Sequence, residues 1–379
     1  MPPVAKLYDI AVMGATPAGL AAAGYLARRR RSVALINVPS QDLECPLSDW
    51  APAGLFRIPH LPKGLVRKAS AAAFRRVAYH NADGNKRVEH RARSTSGYLL
   101  PAGALEEALR CDSARVRRRS TKAWPAIRLD DDAVHVVGDQ ETAAKVLLIA
   151  HARPRDIVSD LSLPMHSVSA SPLVVAGLDI PLPDKAARQA PDGALHVVEA
   201  RERSEVGIFF RVGRTLHVRI VSSSRASGTR ASELSELLCG LQAAGLVPED
   251  LRLGKARGAV WRPPAALALE LEAHVAKRCI LTGTAGGFAD PITGHVPMPS
   301  IRSALLAAEA ADKAVSGGNR ATGRSIQAAL EQFRAAWRKE LGGYLRPPST
   351  SLQMLLPLLF VNERVVPRFT AALLSGKQI

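Results

Sequence analysis

The sequence predicts an α/β protein. Its main part is a Rossmann-like dinucleotide-binding domain, a parallel sheet with helices on both faces. An antiparallel-sheet substrate domain is inserted into it, and a helical C-terminal part follows. Three observations carry this expectation. Residues Tyr8 to Asn37 read as strand, glycine turn, helix and second strand within roughly 30 residues, the order of a first βαβ unit. A second glycine turn, Gly283 to Gly294, follows the apolar run Cys279 to Thr282 and leads into a long Ala-rich helix. Between them, from about Ser159, alternating positions replace the continuous apolar runs of the flanks. The boundaries that follow are 1–160 and 260–320 for the dinucleotide-binding domain, 161–259 for the substrate or cap domain, and 321–379 for the helical region.

In the first unit, the apolar strand Ile10 to Met13 runs into Gly14, Ala15, Thr16, Pro17, Ala18 and Gly19. Such a turn presents backbone N–H groups and a helix N-terminus to a pyrophosphate. Ala18, Gly19 and Ala22 let the helix lie close to the sheet. Two positions depart from the pattern. Thr16 stands where a second glycine would let phosphate approach the backbone, and Asn37 stands where an acid normally accepts from ribose hydroxyls.

Along the rest of the chain, Val38 to Pro62 is Pro-rich and irregular, and Lys63 to Arg93 is basic and poorly periodic, with a turn at Asn81 to Asn85. A strand and a helix opening at Pro101 occupy Gly97 to Arg110. Strands are expected at Ala126 to Leu129, Ala133 to Val137 and Lys145 to Ala150, the last with the unbroken apolar character of a buried parallel strand. Ala194 to Ala200, Val206 to Val212 and Thr215 to Val221 read as an antiparallel sheet, with a hairpin turn at Arg211 to Arg214. Ser232 to Ala244 reads as a helix closed by Gly245, and Ser300 to Val315 as another. Leu352 to Val361 is apolar all round, which favours burial beneath the other parts over contact with a membrane.

At 379 residues the chain has ample size for a core, and 47% hydrophobic with 22% charged residues is ordinary globular composition. The formal net charge of +17 fits basic surface, with an acidic protein partner or an anionic membrane surface as secondary readings. Aromatics at 4% do not interleave with the basic runs, so a nucleic-acid interface is disfavoured. Cys45, Cys111, Cys239 and Cys279 lie far apart, without metal-ligand spacing or a disulfide framework. No signal-peptide core and no run of about 18 apolar residues is seen, so a reduced, cytoplasmic chain is expected.

Together the two glycine turns resemble those of the flavoprotein family that includes geranylgeranyl reductases, aromatic hydroxylases and flavin-dependent halogenases. In that family the first turn binds the ADP part of FAD, and a late GDAAGxxxPxxGxG motif meets the ribityl phosphate and flavin ring. Gly283 to Gly294 (GTAGGFADPITG) matches that spacing, and Leu355 to Gly376 resembles the C-terminal helices of the reductase branch. The resemblance implies FAD as cofactor and an apolar or aromatic substrate, which includes a protein-borne side chain, between the two domains. It implies Gly283, Thr284, Asp290, Pro291 and Gly294 as further cofactor-binding residues. His295 is a candidate acid or base, and Cys45 sits in the loop where the reductase branch carries a cysteine near the flavin. It further implies that the helix N-terminus after Gly294 stabilises charge on the flavin.

The departures form a set. Thr284 replaces an Asp, Pro101 an Arg, and His151-Ala152 an Asp-Gly pair, alongside Thr16 and Asn37. Each lost polar contact weakens binding by roughly 0.5–3 kcal/mol. The alternative is therefore a degenerate, non-catalytic relative that binds a partner and holds FAD weakly or not at all.

Overall fold

The computed structural model describes residues 6–39, 47–112, 116–151, 161–163, 173–190, 193–200, 205–222, 230–251, 253–264, 267–318, 322–347 and 352–376. An eight-stranded sheet organises both ends of the described chain. Its order is Val275–Ala276, Cys279–Leu281, Glu141–Ile149, Leu7–Met13, Val33–Asn37 and Arg117–Ser120, with the hairpin Ala126–Leu129 and Val134–Val137 attached to Glu141–Ile149. The two central strands are parallel and in register from Leu7 opposite Ala143 to Met13 opposite Ile149. Both are buried almost throughout, as unbroken apolar strands must be.

One face carries the helices Pro17–Arg28 and Pro297–Val315, packed on each other and covered by Gly323–Leu345. The small residues Ala18, Ala22, Ala304, Ala307 and Ala308 in that core permit the close approach. Among the described residues, the opposite face carries a β-hairpin. Tyr8, Ala11 and Met13 pack against Val134, Val136, Ile127 and Leu129 of the hairpin. Alternation along its two short strands turns those four side chains inward.

The second sheet has seven strands in the order Arg257–Trp261, Val174–Pro181, Thr215–Ser222, Glu205–Val212, Ala194–Glu199, Arg76–His80 and Arg87–Arg91. Its antiparallel middle matches the sequence reading, including the turn at Arg211 to Arg214, where Gly213 has φ +56°. The basic stretch before Arg93 has little strand periodicity in its sequence. It forms a hairpin, and Arg76–His80 pairs in parallel with Ala194–Glu199. Helix Arg230–Ala243 covers one face through Leu238 and Leu241. The other face packs against the helices Leu352–Leu359 and Val366–Ser375 and a small sheet of Asp49–Pro52, Gly97–Leu100 and Ala72–Phe74. No helix among the described residues is long and apolar enough to cross a membrane.

Candidate functional site

The first turn leaves the centre of the parallel sheet. Gly14 donates to the Ile36 carbonyl at 2.8 Å and has φ +107°, a conformation closed to L side chains. A Cβ there would sit 2.4 Å from the His151 Cβ. One on Gly19 would sit 1.9 Å from the Gly14 carbonyl oxygen, so the helix rests directly on the turn. Thr16 caps that helix, its Oγ1 accepting from the Gly19 N–H at 3.3 Å, and Pro17 occupies the first helical position. The threonine hydroxyl therefore faces the helix, and the Gly19 amide is engaged. The amides of Ala15, Thr16 and Ala18 have no partner among the described residues, and Ala15 is partly exposed. Free N–H groups at the positive end of a helix are chemically suited to an anion. Asn37 ends its strand with an exposed side chain, its carbonyl accepting from Thr121.

The second turn meets the first. Thr282 N–H continues the ladder onto the Ile149 carbonyl at 2.9 Å, and Gly283 then turns with φ +55°. A Cβ on Gly283 would lie 2.5 Å from the Ala150 oxygen and 3.0 Å from the Ala18 Cβ. The two motifs, more than 260 residues apart, thus share one wall. Thr284 is fully buried, and its hydroxyl donates to the Ala150 carbonyl at 3.4 Å.

Asp290 is also fully buried. Its Oδ1 accepts from the amides of Ile292 (2.8 Å) and Thr293 (2.7 Å) and from the Thr293 hydroxyl (3.0 Å). Burial raises its pKa against these bonds, and the Tyr344 hydroxyl beside it is itself pushed far up by burial and the neighbouring carboxyl. Asp290 therefore staples its own loop. Gly294 has φ +67°, with Pro263 at 2.7 Å from where a Cβ would be, while Pro291 is partly exposed. Cys45 lies outside the described residues.

His295 follows, fully enclosed and stacked on Trp50 at 4.8 Å between ring centroids. Burial lowers its pKa to about 4, so the imidazole is neutral at ordinary pH. Its Nε2 accepts from the Met298 amide at 3.4 Å, which assigns the proton to Nδ1, 4.0 Å from Asp49 Oδ2. The helix beyond begins earlier than expected, at Pro297. Its first turn leaves few N–H groups that could stabilise charge. Pro297 and Pro299 have no N–H, Met298 N–H is engaged by His295, and Ser300 N–H bonds the Val296 carbonyl. The helix dipole remains, but of its first donor groups only the amide of the buried Val296 has no partner among the described residues.

Beside this end lies a buried polar network that sequence reasoning missed. Asp49 Oδ1 accepts from Arg219 Nη2 at 2.7 Å and from the Trp50 amide at 2.8 Å, and the guanidinium lies 5.2 Å above the Trp261 ring. Asp179 Oδ1 pairs with His217 Nδ1 at 2.6 Å, while its Oδ2 accepts from both the amide and the hydroxyl of Ser48 at 2.9 Å. These bonds tie the Asp49 strand to the seven-stranded sheet. A cavity of about 30 Å³, lined among others by Pro17, Asp49, Pro101, Glu106 and Pro297, separates the two helix N-termini. Burial, helped by the Asp49 charge, pushes the Glu106 carboxyl up.

No family model matches the sequence, and no curated protein matches it. Solved structures do. A geranylgeranyl bacteriochlorophyll reductase-like protein from Thermoplasma acidophilum is 14% identical, over 98% of this chain and 97% of that one, with a TM-score of 0.67. A p-nitrophenol 4-monooxygenase from Pseudomonas putida is 14% identical over 97% of each chain, with a TM-score of 0.64. A protein solved with FAD and a substrate in place, CtdE, is 11% identical over 97% and 99%, with a TM-score of 0.63. The chain has the fold of these flavoprotein oxidoreductases. The resemblance read from the two glycine turns holds at that level.

Against this fold, the residues fit FAD at one end. Three amides and a helix N-terminus suit the pyrophosphate. The ring end fits poorly in this conformation, because a ligand cleft needs roughly 300–1,000 Å³ and the cavity between the turns holds no more than a water or two.

Proposed function

We propose that this chain is a FAD-dependent oxidoreductase of the monooxygenase or reductase type. Its substrate is apolar or aromatic and binds between the parallel sheet and the seven-stranded sheet. The observation that carries this reading is the contact of Gly283 with Ala18 and Ala150, which joins the two glycine turns in a fold shared with a monooxygenase and with a protein solved holding FAD.

In this reading the amides of Ala15, Thr16 and Ala18 hold the pyrophosphate, and Asn37 reaches the ribose. Bound FAD supplies the redox chemistry, and the protein supplies orientation and exclusion of water. Trp50 and Trp261 form the apolar wall on the side of the seven-stranded sheet, and Arg219 fixes Asp49 between them. His295, neutral above about pH 4, stacks on Trp50 without adding charge.

Titration of the purified protein with FAD, followed by visible absorption and fluorescence quenching, tests the reading. One equivalent should bind. Ala15→Asp, which sets a carboxylate among the three amides at a partly exposed position, should weaken binding at least tenfold with an unchanged melting curve. Unchanged FAD affinity in that variant would refute the placement of the pyrophosphate.

The engaged amides around Met298 and the 30 Å³ cavity favour a second reading, a non-catalytic relative that keeps the scaffold for a partner. A colourless protein that ignores added FAD would establish it.

A further inference from the structure

Helix Leu352–Leu359 has two apolar faces, and only one is covered. Leu356 and Leu359 are fully buried in the cluster that holds Trp50, Tyr79 and Phe369. On the other side Met354 is 70% exposed, Leu358 50% and Val361, just beyond the helix, 84%, and Pro357 is exposed between them. Spacings of three, four and seven residues make these four one continuous ridge. Isolated exposed apolar residues need no explanation, but a contiguous ridge marks a docking surface.

The charge around the ridge selects its occupant. Arg364 and Arg368 follow it, both exposed and with side chains unpaired among the described residues, against the one acid Glu363. The edge strand Arg87–Arg91 packs beside helix Val366–Ser375 and adds the exposed Arg91, while its Arg87 and Glu89 pair with each other. The whole chain carries +17. A second copy laid on this face would bring its own arginines against these, whereas an anionic lipid surface complements them. Nucleic acid would match the charge but leave Met354, Leu358 and Val361 in water.

We infer that the C-terminal ridge Met354, Pro357, Leu358 and Val361, with Arg364 and Arg368, docks this protein on an anionic membrane surface. The apolar side chains enter the boundary between headgroups and acyl chains, and the arginines stay at headgroup level. Nothing spans the bilayer in this arrangement. The docked helix lies directly behind the cluster containing Trp50, so the second sheet faces the lipid.

Sedimentation of the full chain with vesicles tests this. It should pellet with phosphatidylcholine vesicles containing phosphatidylglycerol and far less with phosphatidylcholine alone. A triple variant, Met354→Glu, Leu358→Glu and Val361→Glu, should reduce partitioning about tenfold or more. Arg364→Ala and Arg368→Ala should each reduce it about fivefold, an effect that fades as salt rises. The replaced side chains are exposed, so thermal melting should match the parent and exclude misfolding. Equal pelleting on both vesicle types, an unaltered triple variant, or no pelleting would each overturn the proposal. So would self-association in light scattering that the triple variant abolishes, since a second copy would then be the occupant. None of these outcomes depends on FAD.

Discussion

The early and late glycine turns are built alike and furnished differently. Each leaves a buried parallel strand, turns through a glycine of positive φ, and leads to a helix with proline at its first position. Around the early turn three amides remain without a partner. Around the late one, Ile292 and Thr293 donate to Asp290, Met298 to His295, and two prolines donate nothing, while the amides of Thr284, Ala285 and Val296 have no partner among the described residues but, unlike Ala15, all three residues are buried. Backbone shape and ligand donors are thus separate properties of one motif. The glycines secure close packing, and packing persists whether or not the donors point at a ligand.

The sharpest way to break this comparison is to disturb the shape common to both. Gly19→Ala places a methyl group 1.9 Å from the Gly14 oxygen, and Gly283→Ala places one 2.5 Å from the Ala150 oxygen at a positive φ. Each should cost about 3 kcal/mol or more in urea unfolding. If either is tolerated within about 1 kcal/mol, the two turns are not the rigid pair described.

Acid should separate the turns next. The late one is braced by His295 and by His274, whose Nε2 bonds the Gly286 carbonyl, and burial lowers both to about 4. Because the folded pKa lies below the unfolded value near 6.5, the stabilisation is complete above pH 6.5. It is lost as pH falls toward 4, by about 3 kcal/mol for each histidine. His151, beside the early turn, is lowered in the same direction by burial. His295→Gln should therefore flatten the fall in stability between pH 6.5 and 4 measured by urea unfolding. An unchanged pH profile would mean that the imidazole is hydrated and free to charge.

Much of the frame was legible in the sequence because it follows from backbone requirements. Gly14 and Gly283 stand where only glycine fits, and the apolar run in Glu141–Ile149 could only be a buried strand. The prolines at 297 and 299 were equally visible, and the loss of N–H groups they impose could have been read directly. The polar network was less accessible. Arg219 and Asp49 are 170 residues apart, and their strands belong to different sheets. A weak signal existed. Asp179 in VVAGLDIP, and His217 and Arg219 in TLHVRIVS, are polar at alternate positions of otherwise apolar strands. Such residues must find partners when buried, but alternation does not say which. The strand pairing of Arg76–His80 with Ala194–Glu199 left no local trace at all, since parallel pairing has no turn to announce it.

If donors rather than shape distinguish the two turns, adding donors should make them more alike. Pro297→Ala with Pro299→Ala restores two N–H groups at the late helix and should cost about 1 kcal/mol of stability, through the freer unfolded chain. FAD should bind about fivefold more tightly in the same titration, the value of one net hydrogen bond. A smaller effect is expected at the early turn from Thr16→Gly. It removes the cap on Gly19 for a few tenths of a kcal/mol, returns that amide to the ligand side, and clears a side chain from the phosphate approach. Affinity should rise by no more than about threefold, because Ala15, Thr16 and Ala18 already supply donors there. Were Thr16→Gly to strengthen FAD binding more than the two proline replacements do, the early turn would be the deficient one, and the contrast between the turns would have to be reversed.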